Sequence, residues 1–138
     1  MSLSVENELK TVAARWMDEI WQPGSLETYD DLHAVDFTDH SPSGRNQDRA
    51  AYRRGIRELY RAFPDFTATT EDLLVDTGAG KVTIRWCATA TFQRDFLDFI
   101  ATGKQVQFNG IEILAIDNGQ IHDRWGEWDG MAVLAGLD

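Results

Sequence analysis

The stretch from Asn118 to Gly130, NGQIHDRWGEWDG, holds the densest chemistry in the chain. Asp123, Glu127 and Asp129 accompany His122 and Arg124 there, with Trp125 and Trp128 among them. A carboxyl group buried beside indole rings is pushed toward a neutral pKa, which is what proton transfer to or from carbon asks of an acid/base. Strand alternation puts Trp125, Glu127 and Asp129 on one face and Arg124, Gly126 and Trp128 on the other. A glycine inside a strand often marks a bulge, and an extra residue at Gly126 would turn Glu127 to the opposite face. Glu127 and Asp129 are therefore both candidate catalytic carboxylates. Asp129 also precedes a short terminal helix and competes for a role as its cap.

Two residues elsewhere join them. His40 stands where VDFTDH (Val35–His40) gives way to the turn Ser41-Pro42-Ser43-Gly44, a place for either a catalytic group or a turn cap. Glu112 lies inside an apolar run, so it is either paired, with Arg85 or Arg124, or carries a raised pKa. With Trp16, Trp86, Phe108 and Trp125, Glu112 makes up the expected substrate-binding set. Cys87 alternates within a threonine-rich strand as a packing residue, and three scattered histidines lack zinc spacing. No metal and no cofactor are expected.

The elements that position these groups are legible from periodicity. Val5, Leu9, Val12, Ala13, Trp16, Met17 and Ile20 fall on one helical face, with Ser4 as cap, Glu6 and Glu8 at the positive end of the dipole, and Pro23-Gly24 as stop. Ser25 opens a short second helix through Leu26, Tyr29 and Leu32. Tyr52, Ile56, Leu59, Tyr60 and Phe63 form the stripe of a third helix ended by Pro64. Beyond it come strands over Phe66–Asp76, Lys81–Gln93 and Lys104–Asp117, an Asn118-Gly119 hairpin turn, and the last strand. Ile111 and Ile113 against Leu114 and Ile116 predict a strand covered on both sides. The segment from Arg94 to Gly103 reads as a cavity lip or dimer contact, and Met131 to Leu137 as a terminal helix. Helices first and strands after make an α+β domain over residues 1–138, its curved sheet leaving a cavity against the helices.

Bulk properties narrow the function. At 138 residues the chain buries about two thirds of its unfolded surface, so its core needs no disulfide or metal. A net charge of −10 argues against nucleic acid, and the apolar runs fall far short of a membrane span. A cytoplasmic protein with a hydrophobic small-molecule partner is expected. One segment opposes the charge trend. Arg45 to Arg61 holds six arginines against Asp48 and Glu58, and Arg49, Arg53, Arg57 and Arg61 form a helical stripe, either a solvated face or an anion-binding one.

Four pieces together carry a resemblance: DFTDHSP (Asp36–Pro42), AFPDF (Ala62–Phe66), TGKQVQFNGIEILAIDNGQI (Thr102–Ile121) and RWGEWDG (Arg124–Gly130). In order and spacing the chain resembles the SnoaL-like polyketide cyclases, within the cystatin-like cone fold of nuclear transport factor 2 and ketosteroid isomerase. The resemblance implies a mixed, largely antiparallel sheet wrapped around three N-terminal helices; separately, a homodimer through the exposed sheet face is expected. It implies cofactor-free, aldol-type ring closure of a polyketide-like carbonyl compound, with a last-strand carboxylate as acid/base. The family's aspartate falls on Gly126 here. That departure leaves open a non-catalytic binding or dimerisation module.

Overall fold

The computed structural model describes residues 2–23 and 26–136, with side chains from residue 4 onward. Gly24, Ser25 and Leu137, to which the sequence assigns a helix stop, a helix start and a helix end, lie outside the described residues. Helix α1 (Ser2–Arg15) runs straight into a π-helical turn, Trp16–Ile20. The wider turn keeps Trp16, Met17 and Ile20 all buried, and such turns occur often beside functional sites. Ser4 sits inside this helix rather than capping it, and Glu6 approaches Lys10 one turn on instead of serving the helix end. Helix α2 is a single turn, Tyr29–Leu32. Helix α3 (Arg49–Ala62) is capped by Asp48, whose carboxylate accepts the Ala51 N–H, and it buries Tyr52, Ile56 and Leu59.

Five strands form one sheet in the order β1-β5-β4-β3-β2: β1 His33–Asp39, β2 Thr67–Asp76, β3 Lys81–Thr91, β4 Gln105–Asp117 and β5 Gln120–Trp128. β1 is parallel to β5, and the other pairs are antiparallel. The helices cover one face of this curved, unclosed sheet, and the short helix α4 (Gly130–Ala135) adds Leu134 to the same core. Asn118 and Gly119 both take positive φ, 51° and 74°, which is what a tight hairpin between β4 and β5 needs. Among the described residues no helix is long and apolar enough to cross a membrane.

Two expectations about the sheet change. β4 is covered on one side only: Val106, Phe108, Glu112, Leu114 and Ile116 face the helices, while Ile111 is 50% exposed. Its outer face is apolar without being covered, so alternation was hidden by residue type. The bulge in β5 falls at His122, not at Gly126. Ile116 pairs with Ile121 and Ala115 with Asp123, leaving His122 extra, and from there the register runs in step to Gly110 opposite Trp128. That one residue sends Arg124, Gly126 and Trp128 inward and leaves Trp125 and Glu127 outside.

The arginine stripe does not act as a unit. Arg49 donates to the carbonyl of His33 and approaches Asp30, while Arg53 lies over the Tyr29 ring, so both clamp the α2 turn onto α3. Arg61 pairs loosely with Glu58 on the surface.

The α2–β1 junction also holds a buried histidine. His33 Nδ1 lies 2.8 Å from the Tyr29 carbonyl and Nε2 3.2 Å from the Trp16 indole nitrogen. An indole N–H can only donate and a carbonyl can only accept, so the ring is neutral with its proton on Nδ1. Burial lowers its pKa to about 4. The unfolded chain then takes up this proton first, so stability present above pH 6.5 is lost as the pH falls toward 4. The loss from this group is roughly 3 kcal/mol. We expect the His33→Gln variant, which keeps an acceptor for Trp16, to lack that part of the pH dependence when unfolding is followed in denaturant between pH 7 and 4.

Candidate functional site

Between the helices and the sheet lies a cavity of about 120 Å³. Trp16, Met17 and Trp21 from the end of the first helix, Tyr52 and Ile56 from α3, and Phe66, Trp86 and Trp128 from the sheet side supply most of its wall. Its polar floor comes from three strands. Glu112 on β4 and Arg124 on β5 meet at 2.7 Å, and Arg124 reaches Asp39 on β1 at 2.9 Å. The other Glu112 oxygen accepts the Trp86 indole N–H at 3.1 Å. Asp39, wholly buried, also accepts the Ser41 backbone N–H and an Arg45 guanidinium N–H.

Two opposed effects act on Glu112. Burial pushes its carboxyl above the ordinary carboxylate value, against the pull of the Arg124 charge and the hydrogen bonds from Trp86 and Arg124. Arg124 loses solvation too, but Tyr52, Glu112 and Asp39 around it hold its pKa up, so it stays a cation. Its guanidinium lies over the Tyr52 ring, 4.7 Å from the centroid. The result is a carboxylate whose proton affinity is raised inside an aromatic-walled cavity. That is a suitable state for a group that takes a proton from carbon and gives it back.

Glycines make this floor possible. A Cβ on Gly126 would collide with Arg124 Nη2 and Glu112 Oε1, and one on Gly110 would collide with the Trp86 ring. In the register Gly126 pairs directly with Glu112. The Glu112 carboxylate thus occupies the space in which a side chain at 126 would begin.

The sequence-derived candidates divide sharply. Glu112, Trp16 and Trp86 line the cavity, and the partner of Glu112 is Arg124, since Arg85 pairs with Asp72 on the surface. Glu127 is exposed on the outer face, because the bulge lies upstream of it. Asp129 does not line the cavity, and although it is the N-cap residue of α4 its side chain makes no capping bond; its carboxylate accepts the Asn109 backbone N–H at 2.8 Å and ties the end of β5 to β4. His40 also lies outside, stacked on Trp125 at 4.4 Å and bonded to Asp123 at 2.9 Å. Trp125 carries Lys81 over its ring on that outer face. Phe108 is buried behind the cavity wall, against Phe63 and Trp128, as core.

Asp39, Arg45 and Tyr52 went unassigned in the sequence, and Trp128 was expected only as an indole beside a last-strand carboxylate. Counting by twos from the apolar Phe37 would have put Asp39 inside and His40 outside. Arg45 stands four residues before Arg49, in step with the stripe but ahead of α3, so its spacing did not distinguish it. Tyr52 carried no signal beyond apolar character. Of the Arg94–Gly103 segment, Phe96 does form part of the cavity wall, in a tight turn closed by Phe96 and Phe99 backbone bonds.

Comparisons with known proteins bear on the family and the fold. The sequence profile described as SnoaL-like polyketide cyclase matches residues 11–137. Among solved structures the chain is similar to a candidate polyketide cyclase from Acidithiobacillus ferrooxidans, with 28% identity, a TM-score of 0.79, and 94% of each chain covered. It is also similar to IdmH, a candidate polyketide cyclase from Streptomyces antibioticus, with 25% identity, a TM-score of 0.80, and 94% of this chain and 97% of that one covered. A SnoaL-like protein from Jannaschia shares the fold at a TM-score of 0.83, with 17% identity over 96% of this chain and 94% of that one. No curated protein matches.

Filling Gly126 is expected to break the floor rather than restore an acid. Gly126→Ala should lower stability by about 1–3 kcal/mol, as overpacking does. Gly126→Asp should cost more, since it adds a third carboxylate against Glu112. Denaturant midpoints of the two variants test this; a Gly126→Asp protein as stable as the parent would show that the space is available.

Proposed function

Because the chain belongs to the SnoaL-like polyketide cyclase family, we propose that it moves protons on a hydrophobic polycarbonyl compound, without a cofactor, with Glu112 as the acid/base. One observation carries the reading: Glu112 is the one carboxylate among the described residues that line the cavity, and burial raises its proton affinity. The cavity volume is close to that of an apolar cavity able to take one benzene ring, so it encloses a ring-sized part of a longer substrate. Trp16, Trp86, Phe66 and Trp128 would hold the carbon skeleton there.

The step balances without any added reactant. Ionised Glu112 takes the proton from a carbon between two carbonyls, and the electron pair moves onto a carbonyl oxygen as an enolate. The enolate carbon attacks a second carbonyl of the same molecule, a C–C bond forms, and that carbonyl's π pair becomes an alkoxide. Glu112 then returns its proton to the alkoxide. Arg124 beside it stabilises the carboxylate before and after the exchange.

A second reading is a binding module without turnover. It is favoured by the fact that Arg124 and Trp86 already engage both Glu112 oxygens. Two copies of the chain are proposed to meet through the outer sheet face, where Leu74 and Ile111 are exposed. Light scattering at twice the chain mass, reduced to the monomer mass by Ile111→Glu, is the expected result.

For the enzyme, Glu112→Gln should lower turnover of a β-polyketone by about 10²–10⁴, the usual contribution of an acid/base. The base must be ionised, so kcat/KM should fall as pH drops through a pKa lying above the ordinary carboxylate value. Undiminished turnover by Glu112→Gln would assign the chemistry elsewhere. Ligand binding by the parent protein with no turnover at any pH would favour the binding module.

A further inference from the structure

Among the described residues three polar or charged ones are buried in the core, His33, Asp39 and Glu112, and the cavity floor accounts for two of them. His33, the first residue of β1, is not among the residues that line the cavity. It stands behind the wall, where its Nε2 accepts the indole N–H of Trp16, a wall residue, at 3.2 Å. The imidazole is fixed from its other sides. Its Nδ1–H donates to the Tyr29 carbonyl at 2.8 Å, and the Tyr29 ring stacks on it at 4.1 Å. Phe37 and Tyr52 meet it edge-on at 5.0 and 5.8 Å. A neutral acceptor thus sits at one defined point behind Trp16.

An indole carries its one donor on one edge, and a buried donor without a partner costs stability. The orientation of the Trp16 ring therefore follows the position of the acceptor. With that acceptor behind the wall, the nitrogen edge turns away from the cavity, and the ring's hydrocarbon part makes the wall. Trp16 opens the π-helical turn and meets Trp21, another wall residue, edge to face at 5.6 Å and 76°, so its orientation is passed to a second indole. An apolar residue at position 33 would leave the indole N–H unmet. A carboxylate there would accept it only by adding a further buried charge to those of Asp39 and Glu112.

We propose that His33 is a positioning residue of the cavity: by holding the Trp16 N–H outside, it keeps this stretch of wall free of donors and makes it the seat of a hydrocarbon portion of the ligand. This rests on the cavity being a ligand site, as in the reading above, and not on Glu112 as an acid/base or on any carbonyl. Released from His33, the Trp16 donor would be met by water whenever the cavity is empty. A hydrocarbon ligand would displace that water and strand the donor, whereas a ligand hydroxyl would accept from it. Loss of the His33 acceptor thereby turns the preference of the site from hydrocarbon toward hydroxyl.

Toluene and p-cresol, which differ by a hydroxyl, serve as probes in calorimetric titration and in NMR spectra of the Trp16 indole N–H, identified by its loss in Trp16→Phe. His33→Asn keeps a donor for the Tyr29 carbonyl but is too short to reach Trp16, and His33→Gln places an acceptor where Nε2 stood. His33→Asn should bind toluene about tenfold more weakly than the parent, the cost of an unmet buried donor, and p-cresol within about threefold of it. His33→Gln should keep both affinities within about threefold and retain the hydrogen-bonded indole shift. In a Trp16→Phe background, which has no indole donor, His33→Asn should change toluene affinity by no more than about threefold. Should His33→Asn fail to fold, loss of toluene binding or of the indole shift in folded His33→Gln would still overturn the proposal. So would equal toluene affinity in the parent and His33→Asn, an equal loss for both probes, an undiminished loss in the Trp16→Phe background, or a parent that does not bind toluene. Toluene binding that follows the expected pattern in a protein without polyketone turnover would remove the enzyme reading and leave the role of His33 intact.

Discussion

The chain of charges Glu112–Arg124–Asp39 is the interaction on which the rest of the structure depends. It links β4, β5 and β1, and it does so where all three side chains are nearly or wholly buried, with relative exposures of 4%, 13% and 0%. Removing Arg124 would leave Glu112 buried without a charged partner, which typically costs about 3–5 kcal/mol. β1 is the sheet's parallel edge strand and pairs with β5 alone, through a register interrupted between His33 and Thr38. The Asp39–Arg124 contact fixes its far end, and the Ser41 and Arg45 bonds to Asp39 then fix the loop that follows. The glycines at 126, 110 and 55 follow from the same cause. Each lies under a side chain of this floor or its neighbours, and a β-carbon there would lift that side chain away.

Pairing and catalysis make opposite demands on such a floor. Arg124 must hold Glu112 firmly enough to make its burial tolerable, yet a carboxylate held too firmly is a weak base. In this protein desolvation outweighs the pull of the guanidinium, so the proton affinity of Glu112 rises despite the ion pair. Asp39 is part of the reason. It competes for the same guanidinium, and its charge opposes ionisation of Glu112. The second carboxylate thus tunes the first, without lining the cavity itself. Arg45 in turn balances Asp39, so the four charged groups of the floor sum to zero.

The sequence disclosed period but not phase. The apolar stripes of α1 and α3, the strand succession and the Asn118-Gly119 hairpin were all legible, because each depends on local spacing or on φ values that few residues adopt. The inward set of β5 was not, because one unpaired residue at His122 inverts every side chain after it, and His122 carries no mark of a bulge. Gly126 carried the mark and serves another purpose. On β1 the phase could be counted, since alternation from Phe37 puts Asp39 inward and His40 outward. Phe108 and Trp128 exchanged roles for a different reason: two aromatics on paired strands look alike in sequence, and depth in the cavity wall is a property of the packed sheet.

The glycine in the acid's expected place then takes on a different meaning. Strands in a sheet lie about 4.8 Å apart, and a glutamate side chain is long enough to cross that distance. From β4 Glu112 leans over its register partner Gly126 and sets a carboxylate oxygen where a residue-126 side chain would start. An aspartate on β5 and a glutamate on β4 opposite a glycine are therefore two ways of delivering one carboxylate to nearly one point. They are mutually exclusive, because the space holds one of them. What differs is the direction of approach, and with it the partner. A carboxylate arriving from β4 passes Trp86 on one side and Arg124 on the other, and it reaches the cavity already held by both. On the proposed reading, the acid of this protein has moved across one strand, and the glycine is the condition for the move.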